Sequence, residues 1–89
     1  MSLFLITREP EALNNEALSA VLQRKFTSEV YRLGKGQWIV AAPYDSAQKF
    51  SLEAGIGAGK PYTGTLVVQI QSYYGLHDQK VWDWIKARF

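Results

Sequence analysis

The sequence predicts an α+β fold, in which a β-α-β-β-α-β order is followed by an additional C-terminal helix. Residues 3–7 and 37–42 are almost entirely apolar, which is typical of strands buried on both faces of a sheet. Residues 65–73 form a run rich in β-branched and aromatic side chains, in which Leu66, Val68 and Ile70 recur at every second position. Segments with apolar residues at three-to-four spacing separate and follow these strands, and they predict helices.

The first strand and the first helix lie in the N-terminal part of the chain. Because residues 3–7 are apolar on both faces, we expect this strand at the centre of the sheet. Pro10 predicts a helix start, and Glu9 and Glu11 complement the helix dipole there. The helix is predicted to continue to Lys25, with an apolar stripe of Leu13, Ala17, Leu18, Val21 and Leu22.

A hairpin and a second helix follow. Residues 27–33 predict a strand, and residues 37–42 predict its central partner. Between them Gly34-Lys35-Gly36 predicts a tight turn, since glycine reaches positive φ without steric cost. Asp45 is predicted to cap the second helix. The inward side chains of that helix are Ala47, Phe50 and Ala54.

The last strand and the last helix complete the order of elements. The strand places Leu66, Val68 and Ile70 on one face. Asp78 is predicted to cap the final helix, whose apolar stripe leaves Trp84 pointing away. That stripe consists of Val81, Trp82, Ile85 and Phe89. With right-handed crossovers, this order fits a ferredoxin-like β-α-β-β-α-β sandwich, and residues 1–89 are predicted to form a single domain.

Composition excludes several classes of function. The 89 residues contain no cysteine, so a disulfide framework, a thiolate metal site and a cysteine nucleophile are excluded. A net charge of +2 with scattered Lys and Arg permits an acidic partner but does not indicate one. No stretch approaches the roughly 20 apolar residues that a membrane span requires. We therefore expect a soluble, cytoplasmic protein.

Two apparent motifs do not indicate a binding or metal site. The glycine-rich loop at residues 55–60 departs from the phosphate-binding pattern, because Ala54 stands where glycine is required and Pro61 follows Lys60. We interpret the loop as a connector. His77 is the only histidine, and no other ligand type is spaced near it, so a structural role is favoured over a metal site.

Aromatic residues near the C-terminus are the first candidate binding residues. Trp38 and Trp82 fall on apolar faces and are assigned to the core. We expect Trp84 and one of Tyr73 and Tyr74 to pack at an interface or against the C-terminal tail. Stacking on nucleic-acid bases is the alternative for these rings.

Glu9 is the candidate metal ligand and catalytic residue. It follows the first strand directly, with Arg8 before it. A carboxylate at the end of a strand can hold a hard cation, and in a symmetric dimer two copies could share one ion. On the chemistry of the residues alone, we favour the simpler role of complementing the helix dipole.

Five segments in order resemble the SinR-like proteins, small relatives of the CRISPR-associated adaptation nucleases (the Cas two superfamily). They are Leu-Ile-Thr-Arg-Glu (5–9), Gln-Trp-Ile-Val (37–40), Asp-Ser-Ala-Gln (45–48), Gly-Thr-Leu-Val-Val-Gln-Ile (64–70) and Trp-Asp-Trp-Ile (82–85). The resemblance implies a ferredoxin-like protomer, a homodimer paired through sheet edges or the C-terminal segment, and a nucleic-acid context. In the family a Tyr-Asp pair typically ends the first strand and supplies the proposed metal ligand. Arg8 and Glu9 stand at those positions here.

Two functional hypotheses follow. The preferred one is a non-enzymatic dimeric module without a cofactor, which binds nucleic acid or a protein partner through Trp84, Tyr73 and Tyr74, with Arg8 as a further interface candidate. The alternative is a metal-dependent endonuclease, acting on RNA or DNA with Mg²⁺ or Mn²⁺, that uses Glu9 from both protomers.

Overall fold

A computed structural model describes residues 1–57, 59, 61–75 and 77–88. These residues form a four-stranded antiparallel sheet, three α-helices and one short 3-10 helix, which confirms the predicted α+β class. In chain order the elements are β1 (Ser2–Thr7), α1 (Asn15–Phe26), the 3-10 helix (Thr27–Glu29), β2 (Val30–Gly34), β3 (Gln37–Ala42), α2 (Ala47–Glu53), β4 (Leu66–Gln69) and α3 (Gln79–Arg88). None of the helices in this described part is long and apolar enough to cross a membrane.

The sheet has the strand order β2-β3-β1-β4, so β1 and β3 are its central strands. β1 pairs antiparallel with both neighbours, and Phe4 lies opposite Val40 of β3 and Gln69 of β4. β2 pairs antiparallel with β3 and forms the other edge of the sheet. The central positions predicted for the two apolar strands are confirmed.

The first face of the sheet packs against α1 and α2. The Phe4 ring stacks on Phe50 of α2, with centroids 4.4 Å apart and planes within 3°. Ala47 packs at the margin of this core and Ala54 is fully buried, as predicted for the inward side of α2. The remaining fully buried large side chains of this face are Ile6, Leu18, Leu22, Trp38 and Val40.

The second face of the sheet is covered by α3. Val81 and Ile85 are buried against Leu3, Ile39 and Ala41 of the central strands. Half-buried side chains pack around this second core, among them Leu5, Tyr31, Leu33, Ile70, Tyr73, Trp82 and Trp84. The sheet therefore has a helical layer on each face.

Trp84 does not point away from this core, contrary to the sequence-based prediction. Its ring meets Tyr31 of β2 edge-on, with centroids 5.8 Å apart, and the Arg88 guanidinium lies 4.2 Å from its centroid. Trp84 follows Val81 by three residues, so both lie on the same side of the helix. The stripe that α3 turns towards the sheet is therefore wider than the predicted one, because it includes Trp84 as well as Trp82. Phe89, the predicted last residue of that stripe, lies outside the described residues.

The predicted start of α1 at Pro10 is wrong, because the helix begins at Asn15. Residues 10–14 form turns instead, and Leu13 is 84% exposed. The Asn15 side-chain amide donates hydrogen bonds to the carbonyls of Glu9 (2.9 Å) and Pro10 (3.2 Å). A side chain thus satisfies backbone acceptors that a continuous helix would have used. Ala17, predicted on the apolar stripe, is exposed.

Two predicted strands are shorter than their sequence patterns. The segment expected from residue 27 begins as a strand only at Val30, because the 3-10 helix comes first. Thr27 ends α1 with φ 49°, and its N–H donates to the Gln23 carbonyl. The strand expected over residues 65–73 spans only Leu66–Gln69.

Two local details also differ from prediction. The N-cap of α2 is Ser46 and not Asp45, since the Ser46 hydroxyl accepts the Lys49 N–H at 3.1 Å. The hairpin turn forms where predicted, but neither of its glycines has positive φ. Gly36 is required by space, since a Cβ there would lie 2.9 Å from the Glu9 carbonyl oxygen. In the predicted 55–60 connector, Ala58 and Lys60 lie outside the described residues.

An ion pair joins α1 to the edge strand β2. Arg32 donates two parallel hydrogen bonds to the Glu16 carboxylate, at 2.9 and 2.8 Å. The Arg32 guanidinium also lies 5.3 Å from the centroid of the buried Trp38 ring. The hydrogen bonds from Arg32, together with its charge, lower the pKa of Glu16 below its ordinary value.

The contribution of this pair to stability should disappear in acid. Because the folded-state pKa of Glu16 is lowered, the pair stabilises the fold above the ordinary value of 4.5 and ceases to do so as pH falls through the folded-state pKa. The difference in free energy of unfolding between wild type and Glu16→Gln, measured by urea denaturation, should therefore be largest near neutrality and vanish at low pH.

Glu53→Gln is the matched control, because Glu53 is also exposed and its carboxylate has no ion-pair partner in the described part of the chain. Its effect on stability should change little over the same range of pH. A Glu16→Gln difference that stays constant from neutral to acidic pH contradicts the assignment.

Candidate functional site

An open apolar groove lies on the second face of the sheet, beside α3, and its lining extends from β4 to Ile39 of β3 and Leu33 of β2. It has a volume of about 580 Å³, and Leu5, Val68, Ile70, Val81, Trp82 and Ile85 are among its lining residues. α3 packs over the centre of the sheet and towards β2, so the β4 side of this face is left open. Val68 remains 38% exposed and Leu66 60% exposed as a result.

Aromatic side chains stand at one end of this groove. The Tyr73 ring stacks against Trp82 of α3, with centroids 5.6 Å apart and planes 24° from parallel. Tyr74, the next residue, is completely exposed. Both tyrosines and Trp82 also line a smaller adjoining depression, together with Lys86. The structure thus brings together two flat rings, an exposed phenol and an ammonium group.

Lys86 gives this end of the groove a positive charge. It lies one helical turn after Trp82, so both project from the same side of α3. Among the described residues no carboxylate lies within ion-pair distance of Lys86. The ammonium group is therefore available to an anionic ligand held against the rings.

The predicted set of aromatic binding residues is only partly brought together. Tyr73 and Tyr74 share the groove end, whereas Trp84 packs against Tyr31 on the β2 side of α3. Trp82 packs against the second core, as the sequence predicted, and its half-buried ring also lines the groove. The spacing of Trp82 and Lys86 by four residues is the signal in the sequence that could have revealed it.

His77 lies at the entrance to α3 and lines the same groove. Its Nδ1 accepts the N–H of Asp78 at 2.8 Å, and the Asp78 carbonyl accepts the N–H of Val81 at 3.1 Å. This local role in positioning the start of the helix agrees with the structural interpretation. Across the described ranges, no group of three or more His, Asp or Glu side chains could hold a metal ion.

Arg8 is buried, with only 7% of its surface exposed. Its guanidinium donates to the Leu13 carbonyl (2.9 Å), to Asn15 Oδ1 (2.7 Å) and to the Thr63 carbonyl (2.9 Å). The same group lies 5.8 Å from the centroid of the Tyr62 ring. Arg8 therefore ties the end of β1 to the turns before α1 and to the segment before β4, which is a positioning role.

Glu9 is exposed at the end of β1, beside the hairpin turn. Its carbonyl accepts the Ala12 N–H at 3.1 Å as well as the Asn15 amide, so the backbone there is held firmly. Thr7 lies opposite Leu66 at the start of β4, whereas Tyr73 follows the end of β4. Glu9 and the aromatic end of the groove therefore lie at opposite ends of the sheet.

No protein-family model matches the chain, and no curated protein matches it either.

Replacing Arg8 by methionine should destabilise the fold substantially. The substitution keeps the length of the buried side chain but leaves the acceptors on Leu13, Asn15 and Thr63 without their donor. Hydrogen bonds to a charged donor are worth about 1.5–3 kcal/mol each, and they are not additive. We expect a loss of about 2–3 kcal/mol in the free energy of unfolding, measured by urea denaturation.

Arg24→Met is the control, because Arg24 lies exposed in the last turn of α1. Surface substitutions of this kind usually change stability by less than about 0.5 kcal/mol. Equal effects of the two substitutions contradict the positioning role of Arg8.

Proposed function

We propose that the protein is a homodimeric, non-enzymatic nucleic-acid-binding module with a ferredoxin-like fold, related to the SinR-like proteins. The strand order supports the fold proposal, because β1 and β2 run in the same direction with β3 antiparallel between them. α1 joins β1 to β2, α2 joins β3 to β4, and both helices pack on the same face. Two interlocked β-α-β units of this kind are the basis of a ferredoxin-like sandwich.

The observation that carries the function is the grouping of Tyr73, Tyr74 and Trp82 with Lys86 at the end of the groove. Single-stranded nucleic acid binds to surfaces of this composition, because bases stack on aromatic rings and phosphates pair with cations. Tyr74 offers a fully exposed ring, and Lys86 lies beside it without a carboxylate partner in the described structure. The net charge of +2 is compatible with such a ligand.

Binding to single-stranded oligonucleotides should depend on Tyr74. Removing one stacking ring costs about 1–3 kcal/mol, which corresponds to a weakening of at least about fivefold. We expect Tyr74→Ala to weaken the binding of short single-stranded RNA or DNA by about tenfold, as measured by fluorescence anisotropy. Because Trp82 lines the site, its fluorescence should also fall when a base stacks there.

Leu52→Ala is the matched control, since Leu52 is an exposed large side chain on α2, the helix on the other face of the sheet. It should bind oligonucleotides as tightly as the wild type does. A wild-type protein that binds no single-stranded oligonucleotide, or a Tyr74→Ala variant that binds unchanged, contradicts the nucleic-acid proposal. A protein partner would then be the occupant to seek for this groove.

The second candidate function is metal-dependent phosphodiester cleavage through Glu9. The observation in its favour is that the Glu9 side chain is exposed directly after β1, where a second copy could approach it. A hard cation requires several oxygen ligands, and Glu9 belongs to no such cluster among the residues that the structure describes. We therefore place this function second.

Calorimetric titration of Mn²⁺ separates the two functions. The binding module should take up no Mn²⁺ and should cleave neither RNA nor DNA with Mg²⁺ or Mn²⁺. A nuclease should instead bind about one ion per dimer and lose both binding and cleavage in Glu9→Ala. Glu11→Ala, which removes a neighbouring exposed carboxylate, serves as the control.

A further inference from the structure

We infer that the outer edge of β4 is the surface through which two copies of this chain pair, in an antiparallel arrangement with the two-fold axis at Val68. This inference rests on the homodimer proposed above and specifies which edge forms it. The partner is a second copy of the chain. The two edges of the sheet, the direction of the backbone groups and the side chains on β4 all favour this arrangement.

The two edges of the sheet are protected to different degrees. β2 carries the charged Arg32, and its pairing with β3 is irregular between Arg32 and Gly34. Charges and bulges of this kind are common devices against unwanted strand pairing. β4 lies within residues 61–77, which contain no Asp, Glu, Lys or Arg. The β4 edge therefore has no charge to repel another strand.

The backbone of β4 leaves hydrogen-bonding groups pointing outwards. The N–H of Ile70 donates to the Leu3 carbonyl of β1 at 2.8 Å. Because these directions alternate along an antiparallel strand, the groups of Leu66 and Val68 also face β1. Those of Val67 and Gln69 face away, and no strand in the described part of the chain pairs with them. Such groups are suited to bond another strand.

The apolar side chains of β4, together with the half-buried Ile70 that directly follows it, are nearly symmetric about Val68. Leu66, Val68 and Ile70 alternate on the second face of the sheet, and Leu66 and Val68 are large apolar side chains exposed there. With the two-fold axis at Val68, this residue meets Val68 of the second copy, and Leu66 meets Ile70 of that copy. Every cross-strand contact on this face is then apolar.

The same register satisfies the outward-facing backbone groups. Val67 lies opposite Gln69 of the second copy, and the two residues exchange hydrogen bonds in both directions. The two-fold axis repeats this exchange, and the two sheets join into one continuous sheet. Because Val68 and Ile70 also line the groove, the grooves of the two copies then lie on the same face, on either side of the axis.

Single cysteines test this register directly, since the chain has no cysteine of its own. Residues opposite each other in a non-hydrogen-bonded antiparallel pair have Cα atoms about 4.5 Å apart, which a disulfide can bridge. Val68→Cys should therefore form a disulfide-linked dimer under mild oxidation. Leu66→Cys is the matched control. Position 66 lies opposite position 70 of the second copy, so the two cysteines are about 13 Å apart along the strands and should remain largely unlinked.

A proline provides an independent test without cysteine. Gln69→Pro removes one outward-facing N–H, whereas Gln69→Ala removes the same side chain, with its hydrogen bond to Ser2, and keeps the N–H. We expect the proline variant to dimerise at least about tenfold more weakly than the alanine variant, by light scattering over a range of concentrations. Circular dichroism of both variants establishes that each is folded.

The possible results separate this inference from the proposed function. A dimeric wild type in which Val68→Cys links no faster than Leu66→Cys, or in which Gln69→Pro dimerises normally, overturns the β4 interface but leaves the dimer. A wild type that remains monomeric at high micromolar concentration overturns both the interface and the dimer. The effect of Tyr74→Ala on oligonucleotide binding is measured separately and stands apart from either result.

Discussion

The structure depends on two central strands that are apolar on both faces. β1 and β3 place Phe4, Ile6 and Trp38 on one side and Leu3 and Ile39 on the other. Burying a large apolar side chain stabilises the folded state by about 1.5–3 kcal/mol, so other elements must pack against both faces of these strands. α1 and α2 cover the first face, and α3 covers the second. The C-terminal helix is therefore a structural layer of the fold and not an appendage.

The size of α3 explains why part of the second face stays open. A helix with its side chains is about 10 Å wide, whereas four strands spaced about 4.8 Å apart make a broader surface. α3 covers the centre of the sheet and the β2 side, where Trp84 and Arg88 fasten it to Tyr31 and Glu29. The uncovered β4 side contains the exposed edge and a large part of the groove lining, including Val68, Ile70 and Tyr73. The proposed ligand and the proposed second copy both bind to the part of the sheet that α3 leaves uncovered.

The Arg8 and Asn15 side chains shape the opposite end of the sheet. Together they hydrogen-bond carbonyls of Glu9, Pro10, Leu13 and Thr63, and so they fold the residues between β1 and α1 into fixed turns. The guanidinium of Arg8 is engaged by backbone and side-chain acceptors, and Glu9 is exposed but belongs to no group of three or more His, Asp or Glu side chains in the described structure. A buried arginine that holds these turns together gives the loop a fixed conformation.

The sequence by itself determined the α+β class, the two central strands, the hairpin and the inward side of α2. These features depend on local periodicity and on turn residues that lie close together in the chain. Only the tertiary structure decided that α1 begins at Asn15, because Arg8, which bonds Leu13 and Asn15 in the preceding turns, is also bonded to the Thr63 carbonyl 55 residues away. Only the tertiary structure could place Trp82 on Tyr73 and Trp84 on Tyr31, since these contacts join a helix to segments that are distant in sequence or of irregular structure. Of the residues at the candidate site, the sequence therefore predicted Tyr73 and Tyr74 but not Trp82 and Lys86, because tertiary packing determines which rings remain accessible.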